Sequence, residues 1–121
     1  MSAAGGWTVR DRVCVVTGAT SGIGEEIALE NVERVLERAG DTWVWIDMEG
    51  SAYTDRTLAL YRKLRRRWRN VACVLQAYLH RTESDLRGLV PGGVRMRLCK
   101  GAYREPAERA LNLARRMVRH S

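Results

Sequence analysis

The sequence predicts an α/β fold in which strands and helices alternate, βαβαβαβα, around a sheet of parallel strands. Three observations carry this. Four short runs rich in Val, Ile, Leu and Trp, at residues 13–17, 43–47, 71–76 and 94–98, have the length and composition of buried strands. The stretches between and after them, 23–39, 53–68, 83–89 and 106–118, bring apolar residues round at helical spacing. Regular alternation of the two implies right-handed crossovers and hence parallel strands.

Taken in order, strand 13–17 runs into a glycine-rich turn, and the helix over 23–39 stops at Gly40, a residue that tolerates the left-handed conformation of a helix end. Strand 43–47 ends in acids, Asp47 and Glu49. Helix 53–68 repeats Leu58, Tyr61, Leu64 and Trp68 on one side and carries Arg62, Lys63, Arg65, Arg66 and Arg67 on the other. Strand 71–76 ends in Gln76. Thr82, with Glu83 and Asp85 behind it, opens helix 83–89 with acids in the first turn, where the helix dipole favours them. Strand 94–98 delivers Arg97 to a cluster containing Lys100, Tyr103 and Arg104, and helix 106–118 closes the pattern. Three strands thus bring polar groups to one rim, the place where α/β folds put their chemistry.

A chain of 121 residues is one domain's worth, with 45% hydrophobic and 29% charged residues, an ordinary globular balance. No apolar run reaches the ~18 to 20 residues of a spanning helix, and the first residues lack the basic and apolar regions of a signal peptide, so a soluble, cytoplasmic protein is expected. Cys14, Cys73 and Cys99 are widely spaced in apolar runs and read as small buried hydrophobes of a reducing compartment. His80 and His120 are isolated, leaving a metal without a ligand set. The net charge of +7 invites a nucleic-acid partner, but its arginines read as the solvated face of an amphipathic helix and no recognised binding pattern accompanies them, so none is expected. Trp43 and Trp45 read as core or interface packing.

Residues 12–24, Arg-Val-Cys-Val-Val-Thr-Gly-Ala-Thr-Ser-Gly-Ile-Gly, form a strand, a glycine-rich turn and a helix start. Gly18, Gly22 and Gly24 would let the backbone turn tightly and aim amides at a pyrophosphate. The stretch resembles the cofactor loop of the short-chain dehydrogenases/reductases, which implies a segment of about residues 1–27 able to hold NAD(P), with Asp47 as acidic partner of a ribose. The family's Tyr-x-x-x-Lys pair has no counterpart: Tyr53, Tyr61, Tyr78 and Tyr103 are followed four places on by Thr57, Arg65, Thr82 and Ala107.

From about residue 28 to 108 three blocks stand in order: Trp45-Ile-Asp-Met-Glu-Gly-Ser-Ala-Tyr-Thr-Asp, Val74-Leu-Gln-Ala-Tyr-Leu-His-Arg-Thr and Arg97-Leu-Cys-Lys-Gly-Ala-Tyr-Arg-Glu-Pro. They resemble the middle of the proline dehydrogenase barrel, an FAD enzyme of proline catabolism that oxidises L-proline to Δ1-pyrroline-5-carboxylate. The resemblance implies a partial (β/α)8 TIM-barrel-like unit over about residues 28–121, in one compact body with the first segment. It implies Asp47 and Arg97 as catalytic residues, with Arg97 beside the flavin N5 edge; Gln76 hydrogen-bonded to the isoalloxazine ring; Met48, Lys100, Gly101 and Ala102 lining the FAD; and Tyr103 against bound proline. The family's later strands, which hold the FAD phosphates and clamp the substrate carboxylate, are not matched after residue 108, so the resemblance implies family identity rather than turnover by this chain alone.

Each residue also has a plain structural alternative: Asp47 as a helix N-cap, Gln76 as a strand-end hydrogen-bonder, Arg97 with Lys100 as a solvated pair. An NAD(P)-binding module built on the glycines, and a noncatalytic fragment that self-associates through open sheet edges, remain as alternative functions.

Overall fold

The computed structural model describes residues 14–19, 22, 24–101 and 103–111. Strands β1 (Cys14–Val16), β2 (Val44–Ile46), β3 (Val71–Gln76) and β4 (Met96–Cys99) alternate with helices α1 (Glu25–Ala39), α2 (Thr54–Arg67) and α3 (Thr82–Leu89). All pairings are parallel and the order in space is the order in sequence, β1-β2-β3-β4. Right-handed crossovers between strands that add in sequence order put every helix on one face of the sheet. The architecture is therefore an open, singly wound α/β sheet, the arrangement of a barrel sector.

One core fills the space between sheet and helices. Ala28, Val32, Leu36 and Ala39 recur along α1 at three- and four-residue steps and meet Leu58, Tyr61 and Leu64 of α2 over Val44, Ile46, Val71, Cys73 and Leu75. All six residues of β3 are buried, as its continuous apolar run requires of a strand covered on both sides. Burial pushes the Cys73 thiol up to about 11, so it is a neutral hydrophobe at physiological pH. Gly40, at φ 61°, ends α1, and Asn70 donates to the carbonyls of Gly40 (3.1 Å) and Thr42 (2.8 Å), tying the turn before β2 to the turn before β3. Across the outer layer Lys63 pairs with Glu25, and Arg67 with Glu33 at 2.9 Å, joining α2 to one flank of α1. Among the described residues no helix is long and apolar enough to cross a membrane.

The expected fourth helix, 106–118, is corrected where it is described. Pro106 accepts hydrogen bonds from Arg109 (2.9 Å) and Ala110 (3.1 Å), a single turn, and the chain is then captured in extended form: Leu111 N–H donates to Tyr78 O at 2.8 Å and Ala110 pairs antiparallel with Leu79. A tertiary edge wins over the apolar rhythm that suggested a helix. Residues 112–118 lie outside the described residues. The last strand also falls later than expected, at Met96–Cys99, because the Val90–Gly92 turn and Gly93 (φ 74°) delay its start.

Leu36 is 1% exposed at the centre of this core. Leu36→Ala is expected to lower the unfolding free energy by about 2–5 kcal/mol, whereas the same truncation at exposed Arg66 should change it by no more than about 0.5 kcal/mol. Urea denaturation of the two variants checks the contrast.

Candidate active site

Successive side chains of a strand point to opposite faces. The helix-side core claims Val44, Ile46, Val71, Cys73 and Leu75, with Met96 packed against it, so Trp45, Ala72, Val74, Gln76, Arg97 and Cys99 share the helix-free face. Ala72, between Trp45 and the residue preceding β4, is small enough for large groups to meet over it: the Arg95 guanidinium lies 3.9 Å from the centre of the Trp43 ring.

Asp47 follows β2 directly, and its N–H donates to Val16 O at 2.9 Å, carrying the ladder one step beyond Ile46. Continuing the Ile46–Cys73 pairing sets Asp47 beside Val74, and Val74 is paired with Arg97. Asp47, Val74 and Arg97 therefore form one row across three strands, the two charged residues separated by two strand spacings, about 10 Å. Gln76 lies on the same face one pleat nearer the carboxyl end, opposite Cys99. The plain alternative for Asp47 fails, because α2 is preceded by Tyr53 at its N-cap and the Asp47 carboxylate instead accepts from Met48 N–H at 3.0 Å.

Gln76 is 3% exposed, and its Oε1 is buried without a hydrogen-bond partner. Such an oxygen costs about 1–3 kcal/mol unless a donor reaches it. Arg97 and Lys100 are exposed, with no ion pair to either among the described residues. Met48 lies in the helix-side core at 4% exposure, on the other side of the sheet from the row just described. Tyr103 is half exposed on the rim. Ala102 lies outside the described residues. Gly18 (φ 63°) and Gly22 (φ 71°) both take the positive φ expected of turn glycines, while Glu25 and Glu26 occupy the first turn of α1, where carboxylates oppose a phosphate.

The rim is held by residues that sequence reasoning passed over. Glu105 Oε1 accepts from Ser51 N–H at 2.8 Å and Oε2 from Ser51 Oγ at 2.5 Å, while Arg109 donates to the same hydroxyl at 3.2 Å. Tyr78 OH donates to Tyr103 O at 2.9 Å, its N–H donates to Lys100 O at 3.1 Å, and His80 N–H donates to Arg109 O at 2.9 Å. Residues 100, 101 and 103–111 thus form a strap over the carboxyl ends of β2 and β3. Burial raises the Tyr78 phenol above its usual range, keeping it a donor. Each of the three sequence blocks contributes one anchor, Ser51, Tyr78 and Glu105, but nothing in a single sequence pairs residues 54 positions apart.

A barrel-type (β/α) sector with a polar row at the carboxyl ends of its strands is the class this fold and rim define. The chain belongs to the proline dehydrogenase family: the family model described as proline dehydrogenase matches residues 14–115. Proline dehydrogenase 1 of Bacillus subtilis (strain 168) is 37% identical over 87 residues, 70% of this chain and 29% of that protein. Proline dehydrogenase 2 of the same strain is 38% identical over 85 residues, 69% and 28%. The proline dehydrogenase of Deinococcus radiodurans is 35% identical over 88 residues, again 69% and 28%. The chain thus spans 28–29% of the length of these curated relatives.

The strap yields two tests. Gly101 sits at φ 108°, and a Cβ there would stand 2.2 Å from the Tyr78 ring. Gly101→Ala should therefore destabilise by about 1–3 kcal/mol and accelerate hydrogen exchange at the His80 and Leu111 amides. Glu105 is held below the ordinary glutamate range, chiefly by the Ser51 hydroxyl, which outweighs the opposing desolvation with help from the Ser51 amide and the nearby Arg109 charge. A carboxyl with a depressed folded pKa stabilises fully above its unfolded value of about 4.3 and loses that contribution as pH falls through the folded value. Protection of the Ser51 amide should accordingly hold at neutral pH and decline on acidification below about 4.3, and Glu105→Gln should flatten that dependence.

Proposed function

We propose that the helix-free face of β2, β3 and β4 is one wall of a flavin site, and that the chain carries the flavin-contacting part of a proline dehydrogenase, acting on L-proline to give Δ1-pyrroline-5-carboxylate. The observation that carries the reading is the row Asp47, Val74, Arg97 with Gln76 one pleat above it, all at the carboxyl ends of parallel strands. The residues fit an isoalloxazine ring: the buried Gln76 Oε1 lacks the donor that a ring N–H supplies, and Arg97 and Lys100 offer exposed cations to an electron-rich heterocycle.

When bound, FAD supplies a two-electron acceptor for the hydride leaving the carbon next to the proline nitrogen. The protein's share is binding, orientation and field. Gln76 fixes the ring edge by donating and accepting at one amide. Arg97, always protonated, holds positive charge where negative charge develops. Asp47, two strand spacings away, orients polar groups across the face. On the family resemblance Gly101 and Ala102 line the cofactor, and Met48 supports the rim from the opposite side of the sheet. Tyr103, half exposed within the strap, is the residue that presents its ring to the substrate. Three cysteines without a disulfide suit the cytoplasm.

Adding FAD to the purified chain is expected to quench flavin fluorescence saturably. Gln76→Leu should weaken binding about fivefold, the worth of one hydrogen bond of about 1 kcal/mol, and Arg97→Met at least as much. Absence of saturable quenching, or an affinity indifferent to both substitutions, would overturn the reading.

A further inference from the structure

We infer that Tyr78 is a positioning residue for the candidate flavin site: it fixes Lys100, Gly101 and Tyr103 relative to β3, and with them the side chains offered to cofactor and substrate. Tyr78 stands two residues beyond Gln76, in the turn that leaves β3. Its main chain continues the pairing of β3 with β4 past the last residues of both strands. Ala77 N–H donates to Cys99 O at 2.6 Å, and Tyr78 N–H donates to Lys100 O at 3.1 Å. Where this backbone ladder stops, the Tyr78 side chain carries the register on. Its ring lies against Gly101, where a Cβ would stand 2.2 Å from Cε1 and 2.3 Å from Cδ1, and its hydroxyl donates to Tyr103 O at 2.9 Å. One residue thus grips residue 100 by its amide, residue 101 by its ring and residue 103 by its hydroxyl.

A side chain that only filled space would not need that hydroxyl. Tyr78 is 8% exposed and packed with Leu79 and Ala110, a role that phenylalanine fills equally well. The hydroxyl adds a direction, because a buried donor loses free energy when its one acceptor moves away. Tyr103 needs such a constraint: its side chain is 48% exposed, so the backbone from which the ring projects sets where the ring points. Lys100 is exposed too, with no ion pair among the described residues, and the hold on its carbonyl fixes where its side chain leaves the chain.

Tyr78 is itself tied to the strand that carries the candidate site. Leu79 N–H donates to Gln76 O at 3.2 Å, the Thr82 hydroxyl donates to the same carbonyl, and Leu111 N–H donates to Tyr78 O at 2.8 Å. Gln76 and the segment after β4 therefore share one register, which Tyr78 transmits between them. The Glu105–Ser51 pairing acts farther along the strap, beyond Tyr103.

The role toward the cofactor rests on the flavin reading above; the ordering of residues 100, 101 and 103 does not, and the two are measured separately. Tyr78→Phe removes the hydroxyl alone and leaves a ring against Gly101, so far-ultraviolet circular dichroism is expected to be unchanged. In nitrogen-15 relaxation of the flavin-free chain, the order parameters of the Gly101 and Tyr103 amides should fall from about 0.85 to below about 0.6, with those of Val74 and Leu75 unmoved. The variant should bind FAD about fivefold more weakly in the fluorescence titration. That loss should vanish in a Lys100→Met background, because Tyr78 acts through Lys100, and persist in a Gln76→Leu background, whose contact lies on β3 itself. A general loosening of the fold would weaken binding alike in both backgrounds. Order parameters at Gly101 and Tyr103 that do not respond to the substitution would overturn the proposal whether or not flavin binds. So would a loosened segment with unchanged FAD affinity, or an equal loss in the two backgrounds. A wild-type chain that binds no FAD removes the role toward the cofactor along with the flavin reading, and the order parameters still decide the ordering.

Discussion

The register of three parallel strands around β3 is the constraint on which the rest depends. β3 is buried along its whole length and paired on both sides, so it cannot slide without moving every side chain to the wrong face. With β3 fixed, the parity of β2 and β4 is fixed as well. The aliphatic residues of one parity go to the helices, and the residues of the other, including Asp47, Gln76 and Arg97, are left together on the helix-free face. Site and core are thus two sides of one alternation, and the hydrophobic burial that stabilises the fold also aligns the polar row.

Register alone leaves the loops at the carboxyl ends free. The strap supplies the constraint that the strands lack, joining the segment after β4 to the turn before α2 and to the turn after β3 through Glu105, Tyr78 and the Leu79–Ala110 pairing. The need for a glycine at 101 arises from this packing: the backbone passes so close to the Tyr78 ring that no side chain fits between them. Residues around the candidate site are held by contacts among loops, while the charged groups that face outward, Arg97 and Lys100, keep no internal partner among the described residues.

The alternation of strands and helices was legible because the apolar runs are short and the helical periodicity between them is clear. β3 is found at the residues expected, and α1 and α2 end within two residues of expectation where described. Local rhythm misled at Pro106, where the chain has a helical pattern but a neighbouring edge at Tyr78 and Leu79 offers better backbone partners. The side on which Asp47, Gln76 and Arg97 stand was also legible, since parity is set by strand assignment. The strap was not, because it depends on pairings distant in sequence between residue types, serine, glutamate and tyrosine, that carry no positional signal by themselves. Gly18 and Gly22 were legible as turn residues, and both take positive φ.

The most direct measurement is a nuclear magnetic resonance titration of the isotopically labelled chain with FAD, tracking the side-chain amide of Gln76, the guanidinium of Arg97 and the backbone amide of Asp47. The account predicts that these three shift together with one binding curve, while Gly18, Gly22 and the α2 arginines stay unchanged. Shifts confined to the glycine turn or to α2, with the three sheet residues silent, would contradict it.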